Sequence, residues 1–226
     1  MRKRSPLIWL LPLALVAILL AFQVDQPLAQ AMANISPRIK KVAVLVSWFG
    51  KGGVILFPTG LLILFGMFMK IARPDREDFW DPILRALIVV FVIVAAAGLA
   101  DDLLKVIFGR ARPFMWLAGD SSGFHPFRFK SDLNSFPSGH TTTSFAAAVA
   151  LSALFPRLRV LFFLVAAAIG ASRIAQDVHY LSDVVAGAAL GLTVAVLILP
   201  PFHKRNWIPY WRSRSQRPRP VVSVDR

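Results

Sequence analysis

Three short stretches carry residue types that together can move a phosphoryl group. Ser135-Phe-Pro-Ser-Gly-His140 holds a Pro-Ser-Gly turn directly ahead of an apolar run, so Ser138, Gly139 and His140 stand where a loop becomes a helix. Free backbone N–H groups and the positive end of the helix dipole meet there, which makes an anion site. A His in that position can also exchange a proton at neutral pH. The stretches Lys105 to Pro113 and Ser172 to Asp183 set further ionisable groups beside long apolar runs, where charge is costly unless it is used. With a helix beginning near His179, Asp183 lies one turn on along the same face. Its carboxylate would then hold the imidazole by one nitrogen, fix the tautomer and leave the other nitrogen free to attack phosphorus. Lys105, Arg112 and Arg173 would clamp the non-bridging oxygens. His140, from the opposite side, would protonate the leaving oxygen and afterwards activate water.

Each of these residues has a plain structural explanation when taken singly. Lys105 and Arg173 suit snorkelling anchors at helix ends, His140 a helix-start His satisfied by backbone, and Asp183 an acid complementing a helix dipole. Taken jointly, an ionisable cluster facing one side of an apolar bundle is a functional site by default. Arg110, His125, Arg128, Lys130 and Asp177 fall outside the pattern and read as solvated loop residues or headgroup contacts. The Phe- and Trp-rich loop 114–129 reads as interfacial packing that also shapes the access of a lipid.

The elements that must position this cluster are membrane helices. The chain has 226 residues, 56% hydrophobic and only 17% charged, and the apolar residues come in blocks separated by short charged loops. That is the layout of an all-α polytopic membrane bundle. Spans are expected at Leu7 to Val24, Gly53 to Met69, Ile83 to about Ala100 (continuing as helix to Phe108), His140 to Phe155, Val160 to Ala171 and Asp183 to Pro201. Ala29-Gln30-Ala31 resembles a signal-peptidase site, but the near-spanning length of the first run favours a retained span. Gln26 to Phe49 is expected to lie as an interfacial helix anchored by Trp48. Arg2, Lys3 and Arg4, the basic inner loops and the Arg-rich tail place both termini in the cytoplasm. The segments 25–52, 105–139 and 172–182 then share the outer, periplasmic face. The expected division is a six-span domain over 1–202 and a basic cytoplasmic tail over 203–226. A net charge of +14 in this setting meets anionic lipid headgroups, not nucleic acid. The absence of cysteine excludes disulfides, thiol catalysis and cysteine–metal sites.

Lys-x6-Arg-Pro, Pro-Ser-Gly-His and Ser-Arg-x5-His-x3-Asp, in that order and over 105–183, resemble the three signatures of the type-2 phosphatidic acid phosphatase superfamily. That family includes membrane lipid phosphate phosphatases and soluble vanadium haloperoxidases. The resemblance implies a phosphohistidine on His179, with Asp183 orienting it. Lys105, Arg112 and Arg173 would bind the phosphoryl group with Ser138 and the Gly139 N–H, and His140 would act as acid and then base. It implies no metal and no cofactor, since three cations and a helix N-terminus supply the electrostatic stabilisation. The expected substrate is a lipid phosphate or diphosphate of a bacterial inner membrane. The motifs do not separate phosphatidylglycerophosphate, undecaprenyl diphosphate, phosphatidic acid and a lipid A phosphate. A lipid phosphotransferase using the same intermediate, and a non-enzymatic lipid-phosphate binder or flippase, are the alternatives. The oligomeric state is not encoded in these motifs.

Overall fold

A computed structural model describes residues 7–120, 123–128 and 130–208. The basic segment Arg2 to Arg4, Phe129 and the tail beyond residue 208 lie outside the described residues. Among the described residues eight α-helices follow one another: α1 Leu7–Ala33, α2 Pro37–Trp48, α3 Gly52–Ala72, α4 Glu77–Phe108, α5 Pro113–Leu117, α6 Gly139–Leu154, α7 Arg159–Ala175 and α8 Leu181–Lys204. Among the described residues there is no strand, only an isolated antiparallel bridge between Arg110 and Phe124. The all-α membrane bundle expected from the sequence is the fold observed.

The centre of the bundle is α6, which packs against α8, α4 and α7, while α1 lies on α8, α3 on α4 and α2 on α7. Small residues permit this closeness. A Cβ on Gly187 would stand 2.6 Å from the Ser138 carbonyl oxygen, and one on Gly191 would stand 2.3 Å from that of Thr142. The glycine pair, one turn apart on α8, thus lets two backbones approach as small-xxx-small faces do in membranes. The core beside it is built from Val89, Ile93, Val94 and Ala97 of α4 with Ala146, Ala147 and Ala150 of α6. Large apolar side chains such as Leu64, Phe68, Leu99 and Leu164 point outward and are exposed, as a lipid-facing surface requires.

Several expected boundaries move. The first helix does not stop at Val24 but runs to Ala33: Asp25 is buried and hydrogen-bonded, while Gln26 and Gln30 stand exposed along it. The interfacial helix is correspondingly shorter, Pro37–Trp48, and starts where Ser36 accepts the Arg38 N–H with Pro37 in the first turn. Ser172 and Arg173 belong to α7, not to a loop, and α8 starts at Leu181, two residues after His179. Among the described residues five stretches are long and apolar enough to cross a bilayer: 12–33, 37–72, 74–108, 156–175 and 181–204. With 16 residues, α6 spans about 24 Å, short of the ~30 Å hydrocarbon core, and most of it is wrapped by the other helices. Past the end of α8, Trp207 and Ile208 fold back onto the core.

Candidate active site

The site forms where the C-terminal ends of α4 and α7 meet the N-terminal ends of α6 and α8. Gly109 in the left-handed region (φ 58°) closes α4 and turns the chain sharply, so that Lys105 stays on the helix and Arg112 begins the loop. Lys105 Nζ is 2.5 Å from Asp101 Oδ2, one turn earlier on α4. Asp101 is buried and also accepts from Thr142 Oγ1 at 3.1 Å, which ties α4 to α6. Arg112 donates from Nε to the Ser131 carbonyl at 3.0 Å, and burial draws its guanidinium below the ordinary arginine value.

At the start of α6, Ser138 is fully buried and its N–H donates to the Asp183 carbonyl at 3.0 Å. Gly139 faces the Lys105 side: a Cβ there would stand 2.6 Å from Lys105 Nζ and 2.7 Å from Asp101 Oδ2. His140 lies within electrostatic reach of Arg173, His179, Lys105 and Lys51. Its Nε2, like Nε of Arg173, is buried without a protein hydrogen-bond partner. Arg173 Nη1 donates to Gln176 Oε1 at 3.3 Å, and Gln176 Nε2 reaches the Ala43 carbonyl of α2 at 3.0 Å. The structure therefore gathers Lys105, Arg112, Ser138, Gly139, His140, Arg173, His179 and Asp183 at one end of the bundle.

His179 is buried, with Nδ1 2.7 Å from the carbonyl oxygen of Ser135. A carbonyl only accepts, so Nδ1 carries the proton and the lone pair of the neutral ring sits on Nε2. Burial pulls the imidazole down to about 4, against the opposing pull of Asp183. The ring is consequently neutral at pH 7.

Here the expected geometry needs correction. His179 lies before the helix, and Asp183 Oδ2 is 3.6 Å from Nδ1, too far for a good hydrogen bond. The carboxylate is occupied elsewhere: Oδ2 accepts from Ser135 Oγ at 2.5 Å and from the Tyr180 N–H at 2.8 Å, while Oδ1 accepts from Arg110 Nη1 at 2.6 Å. Asp183 thus holds Ser135, and the Ser135 carbonyl holds His179.

Two loop residues read as solvated are buried. Arg110 joins Asp183 to Asp25 of α1 and lies under the rings of Phe22, Phe124 and Tyr180. Asp177 pairs with Lys40 of α2. His125, Arg128 and Lys130 remain at the surface, around a recess of about 400 Å³ shared with Asp120 and Asp132. Asp25, Ser135 and Asp101 did not emerge from the spacing argument. The signal for Asp25 was present, however: a lone acid within an apolar run at the membrane demands a partner. Among the described residues no group of three or more His, Asp or Glu is placed to hold a metal ion.

Beside Lys105, a cleft of about 430 Å³ opens between α3, α4 and α6. Along α4 its wall passes from Ala95, Gly98 and Leu99 to Asp101, Asp102 and Lys105, and His140 and Gly139 close it on the α6 side.

Known proteins resemble this chain in sequence and in fold. The family model described as PAP2 superfamily matches residues 86–207. A lipid A 1-phosphatase of Rhizobium johnstonii is 35% identical over 70% of this chain and 66% of its own length. A lipid A 1-phosphatase of Rhizobium etli is 35% identical over 68% of this chain and 67% of its own length, so the chain spans about two thirds of both relatives. The fold resembles the crystal structure of a transmembrane PAP2-type phosphatidylglycerolphosphate phosphatase from Bacillus subtilis, with a TM-score of 0.60 and 22% identity over 88% of this chain and 96% of that one. On the strength of a family match that takes in all three signatures, the chain belongs to the PAP2 superfamily.

Proposed function

We propose that the protein is a lipid phosphate phosphatase in which His179 Nε2 attacks phosphorus and a phosphohistidine is then hydrolysed. The observation that carries this reading is the 2.7 Å contact from His179 Nδ1 to the Ser135 carbonyl, which leaves the Nε2 lone pair free on a ring that Arg112 and Arg173 face. These cations neutralise the charge that spreads over the equatorial oxygens in the transition state. His140 gives a proton to the leaving lipid oxygen as the P–O bond breaks, and takes one from the water that releases phosphate from His179. The cleft along α4, apolar at one end and ionic at the other, suits a lipid with its phosphate at Lys105 and its chain toward the bilayer.

Among lipid phosphates, the names of both Rhizobium relatives favour a glycosyl phosphate of the lipid A type. The reading places the site on the periplasmic face of a bacterial inner membrane, with six spans and both termini in the cytoplasm. The test is phosphate release by the purified protein in detergent, with chelator present, from lipid A, phosphatidylglycerophosphate, undecaprenyl diphosphate and phosphatidic acid. Release from a lipid A 1-phosphate that survives chelator and vanishes in His179→Ala is expected. Equal release by the variant would overturn the mechanism, and faster release from another lipid would overturn the substrate assignment.

A further inference from the structure

Asp25 sits in α1, far in sequence from the signatures, yet it is 3% exposed and fully engaged. Its Oδ1 accepts the Ser182 N–H at 2.9 Å, and its Oδ2 accepts from Ser182 Oγ at 2.5 Å and from Arg110 Nη2 at 2.9 Å. The first helix therefore supplies the acceptor for an otherwise orphan N–H in the first turn of α8. Arg110, 5% exposed, spans the gap with its other nitrogen on Asp183 and on Ser182 Oγ. One guanidinium is thus shared by two buried carboxylates. Removing a member of such a network leaves an uncompensated buried charge, so its members act through one another.

We propose that Asp25 and Arg110 are positioning residues that set the effective charge on Asp183 and, through Ser135, the seat of the His179 ring. The first helix is on this account a retained, working part of the active site. The inference rests on His179 being the nucleophile. The charged and titratable groups facing His179 are Asp183 of α8, Arg112 of the loop, Arg173 of α7 and His140 of α6. Arg110 and Asp25 reach it only by way of Asp183.

The two residues push His179 in opposite directions, and that gives the test. Without the Asp25 charge, Arg110 is left wholly to Asp183, less negative charge supports an imidazolium, and His179 loses its proton at lower pH. Without Arg110, Asp183 bears its full charge and His179 holds its proton to higher pH. The experiment uses the full chain purified in detergent, with kcat, KM and the pH profile measured on a lipid phosphate and folding checked by thermal unfolding. Asp25→Asn should lower kcat about ten-fold with KM little changed, as loss of an outer-shell orienting partner does, and should move the acidic limb of kcat/KM to lower pH. Arg110→Gln should move that limb to higher pH, and Arg110→Lys should return it toward the parent.

A purely structural role would lower the yield of folded protein and leave the limb in place. Limbs that do not move, or move the same way, in folded variants would overturn the proposal. If Arg110→Gln does not fold, Asp25→Asn decides alone, since it changes one side-chain group at near-constant shape. Release that persists in His179→Ala would overturn the nucleophile reading and this proposal with it. Loss there, with unmoved limbs in the other variants, would overturn this proposal only.

Discussion

Nδ1 of His179 lies 2.7 Å from the Ser135 carbonyl oxygen, and Ser135 Oγ lies 2.5 Å from Asp183. The acid therefore reaches His179 through an intervening residue whose backbone accepts and whose hydroxyl donates. Burial draws the His179 imidazole down to about 4, and the nearby Asp183 carboxylate opposes that shift without cancelling it.

The pH dependence follows with a definite sign. His179 has a folded value near 4, well below its ordinary 6.5, so the unfolded chain binds the proton more readily between those limits. Stability from this group is complete above about 6.5 and declines as pH falls toward about 4, with a slope of at most about 1.4 kcal/mol per pH unit. Thermal unfolding in detergent at pH 4.5 and 7 should show a smaller difference for His179→Gln than for the parent.

Two glycines should separate activity from stability. An alanine at Gly139 meets side-chain ends of Lys105 and Asp101 and no backbone, and the flexible Lys105 can give way, so the space before Lys105 fills while the fold survives. We expect kcat/KM to fall about ten-fold or more, an outcome of misplacing a phosphate-binding cation, with little change in Tm. An alanine at Gly191 meets the Thr142 backbone at 2.3 Å, which cannot shift without parting α6 from α8. A loss of about 1–3 kcal/mol in stability is expected there. Gly53→Ala, with nothing within 4 Å of the new Cβ, serves as the neutral control for stability.

Arg173→Lys tests the phosphoryl clamp. A lysine keeps the charge but loses the planar fork and the bond to Gln176. Inhibition by orthovanadate, which mimics the transferring group, should weaken by about ten-fold or more, the scale of a lost charge-assisted hydrogen bond. Equal inhibition would remove Arg173 from the clamp.

Gln176 ties Arg173 to α2. Gln176→Leu should remove the tie between Arg173 and the Ala43 carbonyl, raising KM several-fold, about 1 kcal/mol per hydrogen bond lost. A KM within two-fold of the parent would show that α2 does not hold Arg173.

Much of this was legible before the structure. The alternation of apolar blocks and charged loops marks membrane helices, and three spaced motifs mark the cluster, because both are local patterns. Arg110 and Asp177 were misread because burial is a property of what packs over a loop, and Phe22, Tyr180 and Lys40 come from distant parts of the chain. Ser135 stayed hidden for another reason: its carbonyl does the orienting, and any residue carries a carbonyl. The helix boundary at His179 shifted by two residues, which moved Asp183 from direct to indirect partner.

The cleft beside Lys105 owes its width to missing side chains. Gly50, Gly52, Gly53 and Gly98 all line it, and a Cβ would meet nothing within 4 Å at Gly53 and only a methyl of Thr143, at 3.4 Å from Gly52 and 3.7 Å from Gly98. A Cβ on Gly50 would stand 2.4 Å from Ile169, so the bore is adjustable at Gly52, Gly53 and Gly98 while the bundle around it stays put. On the proposed seating of the lipid phosphate at Lys105, a graded series of side chains at Gly53 and Gly98 would convert an open slot into a molecular sieve, sorting lipids by the bulk they carry next to the phosphate.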